Sequence, residues 1–264
     1  MNDISLVIAT YNWPRALELC LISVLGQSVL PDEILIADDG SREETKMVIE
    51  AYQAKFDIPL RHIWQEDKGF RLAQIRNKAN AAALGAYLIQ IDGDLILHPD
   101  FISDHLDARL KGYYVGGSRV LLDAKKSGEH LAALNAQISF FDAGIANRMN
   151  GWHFPMLSKL ISPLSNSHKL RNIRGCNMAY WREDFIAVNG YDERFEGWGK
   201  EDSDLVIRFI KMGLKRRFFK WAGIVYHLFH NEADRTSLGN NEARLKEIAH
   251  SDKYRCDKGI DQYL

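Results

Sequence analysis

Two aspartates flank one glycine, Asp92-Gly93-Asp94, directly after the apolar run Tyr87 to Ile91 (YLIQI). Hard divalent cations take oxygen ligands, and Mg²⁺ or Mn²⁺ is commonly shared between protein carboxylates and substrate phosphates. A glycine between the acids lets the backbone turn and come close to a ligand, although the same tripeptide also serves as a solvated turn. A second acidic group, Asp38-Asp39-Gly40-Ser41, ends another apolar run. It could accept hydrogen bonds from a base or a ribose, or cap the helix expected from Arg42. Lys68, Arg71 and Arg76 are cations suited to phosphate or base recognition. Trp198, between Gly197 and Gly199, offers a flat apolar face to a sugar ring. Glu201 and Asp202 open a helical pattern, where the helix dipole favours acids and one carboxylate could deprotonate a hydroxyl. His227 and His230 follow a late apolar run, and an imidazole could complete a metal site begun by carboxylates.

The elements that must position these groups alternate. Ile4 to Ala9 reads as a buried strand, and Pro14 opens a helix carried by Leu17, Cys20, Val24 and their neighbours. Glu33 to Ala37, Leu60 to Trp64 and Tyr87 to Ile91 read as further strands. Helices are expected from Arg42 to Phe56 and from Leu72 to Leu84. Alternation of this kind predicts an α/β fold with a parallel, Rossmann-like sheet flanked by helices. Ligands then bind beyond the carboxyl ends of the strands, where Thr10-Tyr11-Asn12, Asp38-Asp39 and Asp92-Gly93-Asp94 collect on one rim. The second half is less regular. Ala136 to Ile173 reads as a long excursion over the active face, Asp202 to Met212 as an amphipathic helix, Arg217 to Tyr226 as one returning strand, and the tail from Glu242 as a polar helix.

The chain has 264 residues and a formal net charge of −1, so no global field favours nucleic acid. Its three cysteines, Cys20, Cys176 and Cys256, lack metal-site or disulfide spacing and fit a reducing compartment. MNDISLVIAT has neither a basic leader nor a long apolar run, and a cytoplasmic protein is expected. Trp152 to Arg174 is aromatic and basic, through Trp152, His153, Phe154, Lys159, Lys169, Arg171 and Arg174. This stretch is expected to meet the acceptor or, as a peripheral contact, an anionic membrane surface.

The ordered set of motifs resembles the family 2 glycosyltransferases of GT-A fold. ISLVIATYN, EILIADDGS, GFRLAQIRN and IDGDLILHPDF are similar to the donor-binding half. RGCNMAYWREDF, NGYDERFEGWGKEDSDL and the histidine after the last strand resemble the C-terminal half of β-1,4-galactosyltransferases and bacterial chondroitin-polymerase-type modules. The resemblance runs from Ile4 to about Arg235. It implies one GT-A domain over 1–264, with a donor half to about residue 100, an acceptor half to about 235 and a helical tail from about 236. It implies Mn²⁺ or Mg²⁺ held by Asp92, Asp94 and His227, with His227 a better match than His230. Thr10, Tyr11, Asn12, Asp39 and Arg76 would line the nucleotide pocket, and Gly175, Cys176 and Asn177 would lie near the donor sugar or its phosphates. Asp202 would be the catalytic base, with Glu201 and Trp198 holding acceptor and donor sugar.

The implied activity is inverting transfer of a hexose or N-acetylhexosamine from a UDP-sugar to a hydroxyl of a glycan or glycolipid acceptor, such as a lipopolysaccharide or capsule. Two rival readings stand beside it. A sugar nucleotidyltransferase would want a glycine- and lysine-rich loop after the first strand, and ATYNWPRAL is not one. A non-catalytic nucleotide- or glycan-binding module would not need the acids at 92, 94, 201 and 202. Relatives often carry glycine where this chain has Lys200, which bears on the loop before Glu201.

Overall fold

The computed structural model describes residues 3–161, 173–231 and 234–264. The chain runs β1 (Ile4–Thr10), α1 (Pro14–Leu25), β2 (Glu33–Asp38), α2 (Glu43–Gln53), β3 (Leu60–Trp64), α3 (Leu72–Ala82), β4 (Tyr87–Asp92), β5 (Leu95–Leu97), α4 (Phe101–Ala108), β6 (Tyr113–Gly116), β7 (Arg119–Leu122), α5 (Ala124–Ala133), β8 (Ile145–Ala146), α6 (Pro155–Ile161), β9 (Asn177–Trp181), α7 (Arg182–Ala187), α8 (Glu201–Lys211), β10 (Lys215–Phe218), β11 (Val225–His227) and α9 (Leu238–His250).

One sheet has the order β10-β6-β9-β4-β1-β2-β3. Its β4-β1-β2-β3 half is parallel, and β9 is antiparallel to both β4 and β6. The inner parallel strands β1, β2 and β4 are covered on both faces, which is why they read as largely apolar runs, whereas the edge strand β3 is only partly covered. Ile4, Leu6 and Ile8 pack with Leu17 and Val24 on one face, whereas Val7 and Ala9 pack with Ala73, Ile75 and Ala79 on the other. Burial of this kind stabilises by roughly 25 cal/mol per Å² of apolar surface. A charge at Val7 or Ile8, both fully buried, would break it.

A second sheet, β5-β11-β7-β8, starts where β4 ends. The two residues between β4 and β5 are Gly93 and Asp94, and the Gly93 amide donates to the Ala9 carbonyl at 2.7 Å. The turn between the sheets is therefore tied to the end of β1.

Three sequence expectations change. Arg217 to Tyr226 is two strands, β10 and β11, one in each sheet. The chain turns between them at Trp221 and Gly223, both with positive φ (65° and 53°), which the apolar composition concealed. The tail helix begins at Leu238, ahead of Glu242. Neither Asp39 nor Ser41 caps α2, whose N-cap residue is Arg42; Asn12, in the turn after β1, accepts from the Arg42 amide at 2.9 Å. The excursion over 136–173 holds β8, a short 3₁₀ turn and α6 within the described residues, and Lys169 and Arg171 lie outside them. Among the described residues no helix is long and apolar enough to cross a membrane.

Candidate active site

A cavity of about 640 Å³ opens at the carboxyl ends of β1, β2 and β4. Thr10, Tyr11, Asp39, Arg76, Asp92, Asp94, Gly175, Cys176, Trp198, Glu201, Asp202, His227 and His230 all line it. Residues separated by two hundred positions thus share one space, as the strand-end rule predicts.

At one end stands a cluster of Asp94, His227 and His230. The Asp94 Oδ2 lies 3.4 Å from His227 Nε2 and 3.3 Å from His230 Nε2. The strand pairing explains the meeting, because β11 runs antiparallel to β5 with His227 opposite Leu95. The other oxygen, Oδ1, is buried and without a hydrogen-bond partner. The carboxylate holds His230 well above its ordinary value, at about 9. A half-satisfied buried carboxylate and two imidazoles within 4.8 Å of one another fit a divalent cation. His227 and His230 stand at nearly the same distance from Asp94, His227 the more buried of the two.

Asp92 faces elsewhere. Its Oδ1 accepts from Arg76 Nη2 at 2.7 Å, while Arg76 Nη1 donates to Asp202 Oδ1 at 2.9 Å. Arg76 is 1% exposed, and its pKa is raised well above the usual range: burial works against the charge and the facing anions more than offset it. Arg76 is therefore a strut between the β4 end and α8, and its guanidinium is already committed to protein carboxylates.

Asp202 lies across Arg76 from Asp92. Its Oδ1 also accepts from the Tyr191 hydroxyl at 3.0 Å, and Oδ2 accepts from the Gly175 amide at 3.0 Å. Gln90 secures that amide from behind, donating to the Gly175 carbonyl at 2.9 Å and to the Tyr191 oxygen at 2.8 Å. A Cβ on residue 175 would lie 2.0 Å from the Asp202 oxygens, so only glycine permits the contact. An ionised carboxylate has about four lone-pair sites. Three are used, and Oδ2 keeps the spare one. Glu201, next in the chain, is buried, and burial followed by the Asp202 charge pushes it up to about 8. Burial thus favours its neutral form, while Arg76 Nη1 stands 3.8 Å from its Oε1 and its Oε2 has no partner.

The loop before α8 explains how these acids reach the cavity. Gly197, Gly199 and Lys200 all have positive φ (73°, 101° and 81°), turning the chain sharply into the helix. Lys200 adopts this conformation although it is not glycine, and its Nζ meets Glu242 Oε1 at 3.3 Å. Trp198 stays 37% exposed at the cavity with the Arg235 guanidinium 4.9 Å from its ring.

Other expected donor residues are placed differently. Asp39 lines the cavity, but its oxygens already accept from Gln65 Nε2 at 2.6 Å and the Arg71 amide at 2.8 Å. Asn12 braces β1 against the start of α2. Asn177 does not line the cavity. Its side chain is buried in a cross-brace, donating to the Ser118 and Gly223 carbonyls and meeting His105 Nε2 at 3.1 Å. Sequence reading passed over Trp13, Phe70 and Arg119 of the cavity wall, and Gln90 and Tyr191 behind it. A lone polar residue inside YLIQI was the available signal for Gln90.

Comparison with known proteins bears directly on this arrangement. The sequence profile of glycosyl transferase family 2 matches residues 5–188, most of the chain. The chain belongs to glycosyltransferase family 2. A second profile, the N-terminal domain of galactosyltransferase, matches residues 156–231. The chain is 24% identical over 264 residues to a chondroitin synthase of Escherichia coli, covering 93% of this chain and 38% of that protein. It is 27% identical over 247 residues to a validoxylamine A glucosyltransferase of Streptomyces hygroscopicus subsp. limoneus, covering 89% and 54%. The chain thus spans only part of the length of these curated relatives. It is 32% identical to the uncharacterized glycosyltransferase YfnE of Bacillus subtilis, covering 98% of this chain and 72% of that protein. Among solved structures, GalNAc-T7 with UDP, GalNAc and Mn²⁺ aligns with a TM-score of 0.66 at 19% identity, covering 92% and 47%. Residues 1–349 of S. aureus TarS with UDP align at 0.61 and 15%, covering 98% and 68%. The transferase has the GT-A fold.

Proposed function

We propose that this glycosyltransferase is metal-dependent and inverting, moving a hexose or N-acetylhexosamine from a UDP-sugar to a hydroxyl of a surface-glycan acceptor. The observation that carries the reading is one cavity with an unsatisfied cation cluster at one end and a three-fold-anchored carboxylate at the other.

Asp94, His227 and His230 are the residues that would hold Mn²⁺ or Mg²⁺. When bound, the ion supplies charge neutralisation for a departing diphosphate. Asp92 contributes charge beside that cluster and fixes Arg76. The spare lone pair on Asp202 Oδ2 accepts the proton of the acceptor hydroxyl as that oxygen attacks the anomeric carbon. The C–O bond to the acceptor forms as the bond to the nucleoside diphosphate breaks, and the proton ends on Asp202. Attack opposite the leaving group inverts the configuration. Protonated Glu201 donates a hydrogen bond to a sugar oxygen and is not the base at neutral pH. Trp198 covers the sugar, and Thr10, Tyr11 and Asp39 form the nucleotide side. UDP bound in the solved structures of GalNAc-T7 and S. aureus TarS supports the choice of donor.

The acceptor enters across residues 101–235. Phe154, Met156 and Leu160 there are 50%, 81% and 73% exposed, which supports a glycolipid acceptor or a membrane surface nearby. Sedimentation with anionic liposomes tests this: recovery of all the protein in the supernatant removes the membrane contact.

The deciding experiment is release of nucleoside diphosphate from UDP-, GDP- and dTDP-sugars, with Mn²⁺ or with EDTA. Hydrolysis of one UDP-sugar that EDTA abolishes is expected. Equal behaviour toward all donors, unaffected by EDTA, overturns the reading.

A further inference from the structure

We propose a second metal site formed by His98, Asp100 and His153, outside the cavity, with three protein ligands and one open position. It takes a divalent transition cation that favours imidazole nitrogen, such as Zn²⁺. The proposal does not rest on the transferase mechanism.

The three residues come from different places. His98 and Asp100 lie between β5 and α4, and His153 lies just before α6. The Asp100 Oδ2 stands 3.9 Å from His98 Nδ1 and 3.8 Å from His153 Nδ1. One ligand atom from each residue lies within 4.8 Å of the others. With Zn–N bonds of about 2.0–2.1 Å, the ligands of one tetrahedral ion stand about 3.4 Å apart. The observed triangle closes to that size with a small side-chain rotation, because all three residues are partly exposed and the two rings lie 4.2 Å apart.

The second observation lies behind His153. Its Nε2 meets both oxygens of Asp104, at 3.1 and 3.0 Å. Asp104 is 3% exposed, and the Gly223 amide donates to its Oδ2 at 2.8 Å. A carboxylate on the rear nitrogen sets the tautomer and turns the other nitrogen, Nδ1, into a ligand aimed at Asp100. This is the carboxylate–histidine–metal relation that orients ligating imidazoles. Among the described residues the only ion-pair partner of buried Asp104 is His153, and a cation on Nδ1 would keep positive charge on the ring that faces it. His98 Nδ1 already accepts the Asp100 amide at 3.2 Å, and the ion would replace that contact. Ser28 occupies Asp100 Oδ1 at 2.7 Å and leaves Oδ2 for the metal.

Such an ion would tie the segment entering α6 to the end of β5. His98 and Asp94 stand at opposite ends of that strand, about 13 Å apart along extended chain. The two clusters are therefore separate sites.

The test uses the full chain carrying His227→Gln and His230→Gln, which removes the cavity's own imidazoles. Calorimetric titration with Zn²⁺ is expected to show one remaining site. Adding Asp100→Asn or His153→Gln should weaken it at least tenfold. Asp104→Asn keeps all three ligands and should weaken it about 10–100-fold. Co²⁺ should give visible absorption in the double variant and lose it with His153→Gln. Absence of Zn²⁺ binding in the double variant, or binding unchanged by Asp100→Asn, overturns the proposal. Circular dichroism checks folding, and if His153→Gln does not fold, the 41% exposed Asp100 side chain carries the test.

Discussion

The two ends of the cavity are built on opposite principles. At Asp94 the protein leaves valence unused: one buried carboxylate oxygen has no partner, and two imidazoles stand more than 3.2 Å away from the other. At Asp202 nearly everything is used, with Arg76, Tyr191 and Gly175 all donating to one carboxylate. An end with unused valence gains by receiving a ligand. An end with saturated valence holds one geometry while bonds change nearby, which is how orientation contributes to rate. In the proposed mechanism the pair separates binding of the leaving group from activation of the nucleophile.

Breaking the open end should have the largest effect. Asp94→Ala is expected to abolish EDTA-sensitive donor hydrolysis and lower turnover by about a thousandfold or more, since such charge stabilisation is worth several kcal/mol at ~1.4 kcal/mol per factor of ten. Donor binding that remains metal-dependent in calorimetry would show that the two ends are not distinct in this way. Breaking the saturated end comes next. Asp202→Asn should reduce turnover by ~10²–10⁴-fold with donor affinity unchanged. Gly175→Ala should imitate it without touching an acid, because its methyl would occupy the Asp202 oxygens. Normal kinetics for Gly175→Ala would mean that the carboxylate need not sit where it does.

Tyr191→Phe removes one of the three anchors and leaves the base itself. A hydrogen bond to a charged group is worth about 1.5–3 kcal/mol, so a fall in kcat of about tenfold is expected, with donor KM unmoved. A change confined to KM would place Tyr191 in binding.

The smallest kinetic effect belongs to Glu201→Gln, which imitates the protonated acid and should leave turnover at pH 7 within a few-fold. Its stability signature is larger. Burial raises the folded pKa to about 8, above the ordinary value of 4.5. The folded protein then binds the extra proton between those values, and stability from this group declines as pH rises from about 4.5 to 8. Thermal unfolding of Glu201→Gln should lack that part of the decline. Identical Tm-against-pH curves for both proteins would place Glu201 in the ionised state.

The sequence made the open end easier to read than the saturated one. The strands β1, β2 and β4 are buried on both faces, and their apolar runs end at the cavity, so Thr10, Asp39, Asp92 and Asp94 could be located by counting. His227 was found from its place after an apolar run. That His230 also meets Asp94 was not legible, because it depends on the antiparallel register of β11 with β5. The saturated end depends on contacts across long separations. Arg76 reaches Asp202 across 126 positions, and Gln90 reaches Tyr191 across 101. The ties of Arg76 to Asp92 and Asp202 were not legible because those carboxylates lie on other elements. Asn177 looked like a donor contact because its neighbours Gly175 and Cys176 line the cavity, whereas a strand sends its own side chain to the opposite face.

The tail carries a consequence for building hybrids. Residues from 236 onward lie beyond both matched family ranges. Yet Asn241 donates to the Glu196 and Gly199 carbonyls at 3.1 and 3.0 Å, and Glu242 meets Lys200. A left-handed turn at a non-glycine residue costs roughly 1–2 kcal/mol, and these clasps are what keep Lys200 in it. A chimaera joined at the family boundary would inherit the Trp198 loop without its clasp. Loop and tail are one transplantable cassette, and an exchange between relatives that respects it would cut before Tyr191 and carry everything to the last residue.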